Sequence, residues 1–123
     1  MNLAVGEKSG EIRISGSGGS AATSDLGKTV SCTSIDDFAK NHNLARVDMI
    51  KMDIEGYELN ALRGAMETLK KFKPKLAISV YHGGEDPTRV PLFIEDLGLG
   101  YKMYLRHFQP VLYETILFAT TKH

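Results

Sequence analysis

Asp53 and Glu55 are separated by a single residue and followed by Gly56, and a further carboxylate, Glu58, comes three residues after Glu55. Carboxylates spaced this way across a turn can accept a proton from a hydroxyl, orient a polar substrate or hold a divalent metal. A plainer account also fits: Glu55 and Glu58 favour the positive end of a following helix, and Asp53 takes up turn amides. Further along, His82 stands before Gly83-Gly84 and the acidic pair Glu85-Asp86. Imidazole changes charge near neutral pH, so beside a carboxylate it can take a proton from a hydroxyl. A last polar group, Arg106-His107 and Glu114-Thr115, reads either as an Arg–Glu ion pair or as an anchor for a polar substrate.

The elements that must position these residues are legible from periodicity. Val47 to Met52 is an apolar run that ends in the carboxylate–glycine turn, and a helix is expected from Tyr57 to Lys71, with Leu59, Leu62, Met66 and Leu69 on one face. Gly64 inside that helix costs about 1 kcal/mol relative to alanine, which points to close packing or a ligand-facing gap. Pro74 closes the connection, and Lys75 to Tyr81 forms a second strand. Strand, helix and strand in this order imply parallel neighbours. Both carboxyl ends then face the same way, which brings His82 towards Asp53 and Glu55, the place where open α/β sheets bind ligands. A helix follows from about Thr88 to Leu97. Tyr101 to Phe108 and Glu114 to Thr121 form an antiparallel pair about a Gln109-Pro110 turn.

Upstream, Asn2 to Gly6 reads as the tail of a strand and Gly10 to Ser15 as a half-exposed one. Ser15 to Asp25 is a Gly/Ser-rich loop. Within it, Gly16 to Ala21 fits the dinucleotide-binding glycine pattern, but the residues after it show no helical period, and the pattern needs a helix to open there. Thr29 to Thr33 is β-rich, and Ser34 is an N-cap for a helix reaching about Asn41. Asp36 and Asp37 sit in its first turn, where the helix dipole favours them.

At 123 residues, the chain is a single domain, 1–123. Fifteen basic and fifteen acidic residues leave no basic field for nucleic acid or an anionic membrane, so neither is expected as a partner. The one cysteine, Cys32, has no partner for an internal disulfide and no metal-ligand spacing around it, which places it in a strand or core and the chain in a reducing, cytoplasmic setting. No signal peptide or membrane-spanning run is present. Met1 is followed almost at once by strand residues, as in a chain cut inside a larger fold.

Several stretches, in order, carry a family resemblance: Asn2-Leu3-Ala4-Val5-Gly6 with Gly10, Ser34-Ile35-Asp36-Asp37-Phe38, Val47 through Glu58 with Leu62-Arg63-Gly64-Ala65, Lys73-Pro74, and Ser79-Val80-Tyr81-His82 with Glu85-Asp86. Tyr104-Leu105-Arg106-His107 and Glu114 through Ala119 complete the set. The chain resembles the C-terminal portion of an FkbM-family methyltransferase, and the Lys51-x-Asp53-x-Glu55-Gly56-x-Glu58 stretch is the most specific part of the likeness. The resemblance implies an α/β fold: a partial Rossmann-like methyltransferase sheet with helices packed on it and a C-terminal antiparallel hairpin. It also implies S-adenosylmethionine as cofactor and a small-molecule or sugar hydroxyl as methyl acceptor.

By the same resemblance, Val5 and Gly6 fall on the adenine side of the cofactor, with Asp53 at the end of the central strand. Asp53, Glu55 and His82 are candidates for the base, and Glu58, Glu85, Asp86, Arg106 and His107 for acceptor binding. In some related enzymes a carboxylate at the place of Asp53 holds a divalent metal, so whether a metal is used here is open. The family's glycine-rich cofactor turn and its acidic ribose partner have no counterpart in this sequence, so the N-terminal cofactor-binding strands are expected to be absent and the fragment inactive or incomplete. An unpaired strand edge would result, open to homodimerisation. The alternative is a non-catalytic α/β assembly or binding module that works through that edge.

Overall fold

A computed structural model describes residues 3–15, 22–23, 28–54, 56–80, 86–107 and 115–122. The first part of the chain forms β1 (Ala4–Val5), β2 (Gly10–Ser15), β3 (Ala22–Thr23), β4 (Lys28–Thr33) and α1 (Ile35–Asn41). There follow β5 (Met49–Met52), α2 (Glu58–Arg63), α3 (Met66–Phe72), β6 (Lys75–Ser79), α4 (Asp86–Asp96), β7 (Lys102–His107) and β8 (Thr115–Thr120). The α/β class is as expected. No helix among the described residues is long and apolar enough to cross a membrane.

The strands make two four-stranded sheets, in the orders β1-β4-β2-β3 and β5-β6-β8-β7. The second is the expected partial methyltransferase-type sheet. β5 and β6 run parallel with Met52 opposite Ile78, and β8 enters antiparallel between β6 and β7. Burial follows position in the sheet. Leu76, Ala77, Ile78 and Ser79 of the inner strand β6 are all buried, whereas the outer strands β5 and β7 are largely exposed. The core gathers where α2, α3 and α4 pack on β6 and β8, around Leu62, Leu69, Ile78, Val80, Ile94 and Leu117. Each such aliphatic side chain contributes about 1.5–3 kcal/mol on full burial, so this cluster outweighs any single polar contact.

The first sheet lies outside that sheet and is short on pairing. Ala4–Val5 pair parallel with Cys32–Thr33, and β2 pairs antiparallel with β4. Cys32 is buried in β4, where burial pushes its thiol above the ordinary value. The expected loop from Ser15 to Asp25 contains a further short strand, since Ala22 and Thr23 pair with Ser15 and Ile14. Its turn-rich composition hid this pairing. Gly16 to Ala21 lie outside the described residues, and the two residues after them are extended rather than helical, so the helix that a dinucleotide site needs does not open there.

The expected single helix from Tyr57 to Lys71 is two helices, broken at Gly64–Ala65. Tertiary contacts cause the break. A Cβ on Gly64 would lie 2.5 Å from the carbonyl oxygen of Gly6 and 2.9 Å from that of Glu7, so only glycine lets these backbones meet. The Gly64 carbonyl accepts the Asp36 amide at 2.8 Å instead of continuing a helical ladder. Asp36 then serves as the missing cap of α3: its Oδ1 accepts from the Thr68 amide (2.8 Å) and hydroxyl (2.7 Å), and its Oδ2 from the Glu67 amide (3.0 Å). Those amides are among the orphan donors of any helix start. At the far end of α3, Lys73 turns left-handed (φ 46°) before Pro74, whose carbonyl accepts the Tyr101 hydroxyl at 2.6 Å.

Two outcomes follow from these contacts. Gly64→Ala forces backbone against backbone and should cost about 1–3 kcal/mol in urea denaturation. Burial pushes the Tyr101 phenol up to about 12 from 10.0, so its contribution is complete below pH 10 and is lost as pH rises through the folded value. Tyr101→Phe should flatten the alkaline limb of a stability–pH curve between those two values while lowering stability at neutral pH.

Candidate functional site

The carboxyl ends of β5 and β6, the start of β8 and the end of β7 line one rim of the second sheet. Register fixes the order: Ser79 opposes Ile116, Ile116 opposes Arg106, and His107 opposes Thr115. One step higher, the Val80 amide donates to the Thr115 carbonyl at 3.1 Å. The rim therefore runs from Asp53, through Ser79–Val80 and Thr115, to Arg106–His107.

At one end, the turn after β5 is built locally. Gly56 has φ 93°, a conformation that favours glycine, and the Tyr57 amide closes on the Ile54 carbonyl at 3.2 Å. Asp53 is exposed at this turn. Glu58, expected among the acceptor-binding residues, is fully buried, and its Oε1 accepts the Ile54 amide at 3.0 Å. It braces the loop that presents Asp53 and does not face a solvent-borne acceptor. A buried carboxylate is tolerated only when hydrogen-bonded, and this bond supplies part of that requirement.

At the other end, the Nδ1 of His107 lies 2.7 Å from Oγ1 of the buried Thr115. The imidazole is thereby tethered while the residue stays exposed. Sequence reasoning brought Arg106, His107 and Thr115 together at the hairpin end, and the register does the same. Three strand spacings of about 4.8 Å separate β5 from β7, so Asp53 and His107 border the rim roughly 14 Å apart and do not touch. Of the other expected residues, Asp86 opens α4, and Glu55, His82, Glu85 and Glu114 lie outside the described residues.

Val5 ends β1 and Gly6 follows it, in the first sheet rather than in the one that carries the rim. Val5 is partly exposed and borders an apolar groove of about 350 Å³ that Ile35, Phe38, Ile50 and Ile54 also line. The Gly6 amide is already used, donating to the Thr33 carbonyl at 3.0 Å. Among the described residues lining the groove, Lys51 is the one that is charged. An adenine ring fits such an apolar surface, but among the described residues the ribose hydroxyls and the amino-acid end of S-adenosylmethionine find no set of polar partners there. Among the described residues, no three His, Cys, Asp or Glu side chains cluster as metal ligands.

Beside the groove, sequence reasoning missed Ser9 as a junction. Its hydroxyl donates to Oδ2 of Asp37 and accepts the Ser34 amide at 3.3 Å, while Ser34 caps α1 by accepting the Asp37 amide at 3.1 Å, as its residue type foretold. The Ser9 hydroxyl, then Ser34 and Lys40, hold the Asp37 carboxyl below its usual range.

The Methyltransferase FkbM domain profile matches residues 2–103, most of the chain. This chain belongs to the FkbM methyltransferase domain family. A crystal structure of Methyltransferase FkbM from Methylobacillus flagellatus KT superposes with a TM-score of 0.69 at 31% identity, covering 94% of this chain and 26% of that one. The FkbM chain described here thus spans about a quarter of the length of that protein. No match was found among curated proteins. The rim described above thus lies on a fold similar to that of an FkbM methyltransferase, with Asp53 at one end and His107 at the other.

The brace under Asp53 is open to test. Glu58→Ala removes the acceptor of the Ile54 amide and should cost about 1–3 kcal/mol in urea denaturation, whereas Glu58→Gln, which keeps an acceptor oxygen, should recover part of that loss.

Proposed function

We propose that this chain carries the acceptor side of an S-adenosylmethionine-dependent methyltransferase that methylates a hydroxyl oxygen of a small molecule or sugar. The observation that carries the reading is the family match over residues 2–103. The rim supports it. S-Adenosylmethionine, when bound, supplies an electrophilic methyl group. The chain's own task is to hold the acceptor in line and to take the proton that its oxygen gives up as the new O–C bond forms. Asp53 and the Thr115-tethered His107 stand at the two ends of the rim, roughly 14 Å apart across β6 and β8, a span comparable to that of a sugar-sized molecule. Asp53, Glu55 and His82 remain the candidates for the base, with Arg106 and His107 as acceptor anchors.

The same reading holds that these 123 residues alone are inefficient. The Val5 groove meets the ring of the cofactor and little else, so affinity should be weak. Titration of S-adenosylhomocysteine into the protein, followed by amide chemical shifts, should give saturable changes confined to Val5, Gly6 and the Asp53–Ile54 turn, with Kd about 0.1–1 mM. Absence of shifts at millimolar ligand, or shifts confined to other residues, would overturn the assignment of the cofactor side. A low-micromolar Kd would overturn the incompleteness.

A further inference from the structure

Among the described residues, β5 and β7 are the outer strands of the second sheet and pair with no strand on their outer sides, and they differ in what these edges offer. The Lys75 amide donates to the Asp48 carbonyl at 2.9 Å, in the register that sets Met49 beside Lys75. In a parallel ladder the N–H and C=O of one residue serve the same neighbour, and successive residues alternate. Asp48, Ile50 and Met52 therefore serve β6, and Met49, Lys51 and Asp53 direct their backbone groups to the outer edge. Along that edge runs the apolar groove, and three residues of its lining, Val5, Leu44 and Met49, are 37%, 38% and 55% exposed. An exposed edge beside an exposed apolar surface is a template for another strand.

Charge decides between the two edges. β7 carries Lys102 and Arg106 and no acidic residue. Antiparallel self-pairing about Tyr104 would set Lys102 against Arg106 twice, a like-charge arrangement that guards the edge. β5 carries Lys51 alone, between Asp48 and Asp53, and a net charge of zero puts no long-range repulsion between two copies.

We propose that the outer edge of β5 pairs antiparallel with the same edge of a second copy of this chain, across a two-fold axis through Ile50. A two-fold that continues one sheet keeps each side chain on its own face, so paired residues must be an even number apart. Within the strand, outward-facing Met49 and Lys51 leave three registers, since Lys51 on Asp53 would pair only Met52 with itself inside β5. Lys51 on Lys51 opposes like charges, and Met49 on Met49 pairs only one strand residue with itself. Met49 on Lys51 pairs three residues, centres Ile50 on Ile50, and lets the aliphatic stem of lysine lie along the thioether. The groove flanks this seam. The inference does not depend on methyl transfer.

Sedimentation equilibrium of the whole chain over a range of concentrations tests the pairing. A reversible dimer is expected. Met49→Lys places lysine against Lys51 in both halves and should weaken the dimer about five-fold, from two like-charge pairs. Met49→Glu creates two opposite-charge pairs and should bind at least as tightly as the parent. Met49 is exposed, so both variants should keep the parent's urea midpoint when it is measured at concentrations low enough for all three proteins to be monomeric, a control to be made alongside. A monomer at every concentration, open-ended aggregates without a dimer plateau, or equal weakening by both substitutions would overturn the proposal, the last by excluding the Met49–Lys51 register.

Discussion

The contact on which the rest depends is the close approach of Gly64 to the Gly6–Glu7 backbone. A side chain at position 64 would meet the Gly6 carbonyl at 2.5 Å, so the absence of a Cβ is what lets the first sheet dock against the helices of the second. Once docked, Asp36 reaches the start of α3 and takes two of its amides, and the Gly64 carbonyl takes the Asp36 amide. The helix break, the cap and the joint between sheets form one cooperative arrangement, in which each bond presupposes the others.

This joint has functional weight because it sets where the Val5 groove lies relative to β5, while the second sheet by itself sets the rim. The rim is firmly held: β6 and β8 are buried on the core face, Glu58 braces the turn under Asp53, and Thr115 tethers the ring of His107. The outer edge of β5 has the opposite character. It has backbone groups without a strand beside them among the described residues, next to apolar side chains that solvent does not favour.

Much of the second sheet was legible because its signals are local. The apolar run of β6, the length of the crossover from β5 and the polar turn before β8 were enough to give parallel and antiparallel neighbours, and Ser34 announced its helix three residues from the amide it caps. Arg106, His107 and Thr115 were grouped by hairpin arithmetic alone. Glu58 was misleading for a physical reason: an acidic residue after a carboxylate turn looks the same in sequence whether it faces solvent or folds back to its own backbone. Asp36 was read as a dipole partner of its own helix, since nothing within a turn of it signals amides 31 and 32 residues away.

By itself, then, the sequence determined the α/β class, the order of most strands and helices and the buried place of Cys32, which rest on periodicity, turn chemistry and residue type over short spans, and it carried the family likeness in stretches such as Lys51 to Glu58. Only the tertiary structure decided that the strands divide into two sheets, that one expected helix is two and that Glu58 is a brace. These depend on which surfaces meet, and a backbone approach such as that at Gly64 joins residues far apart in the chain, where local propensity carries no information.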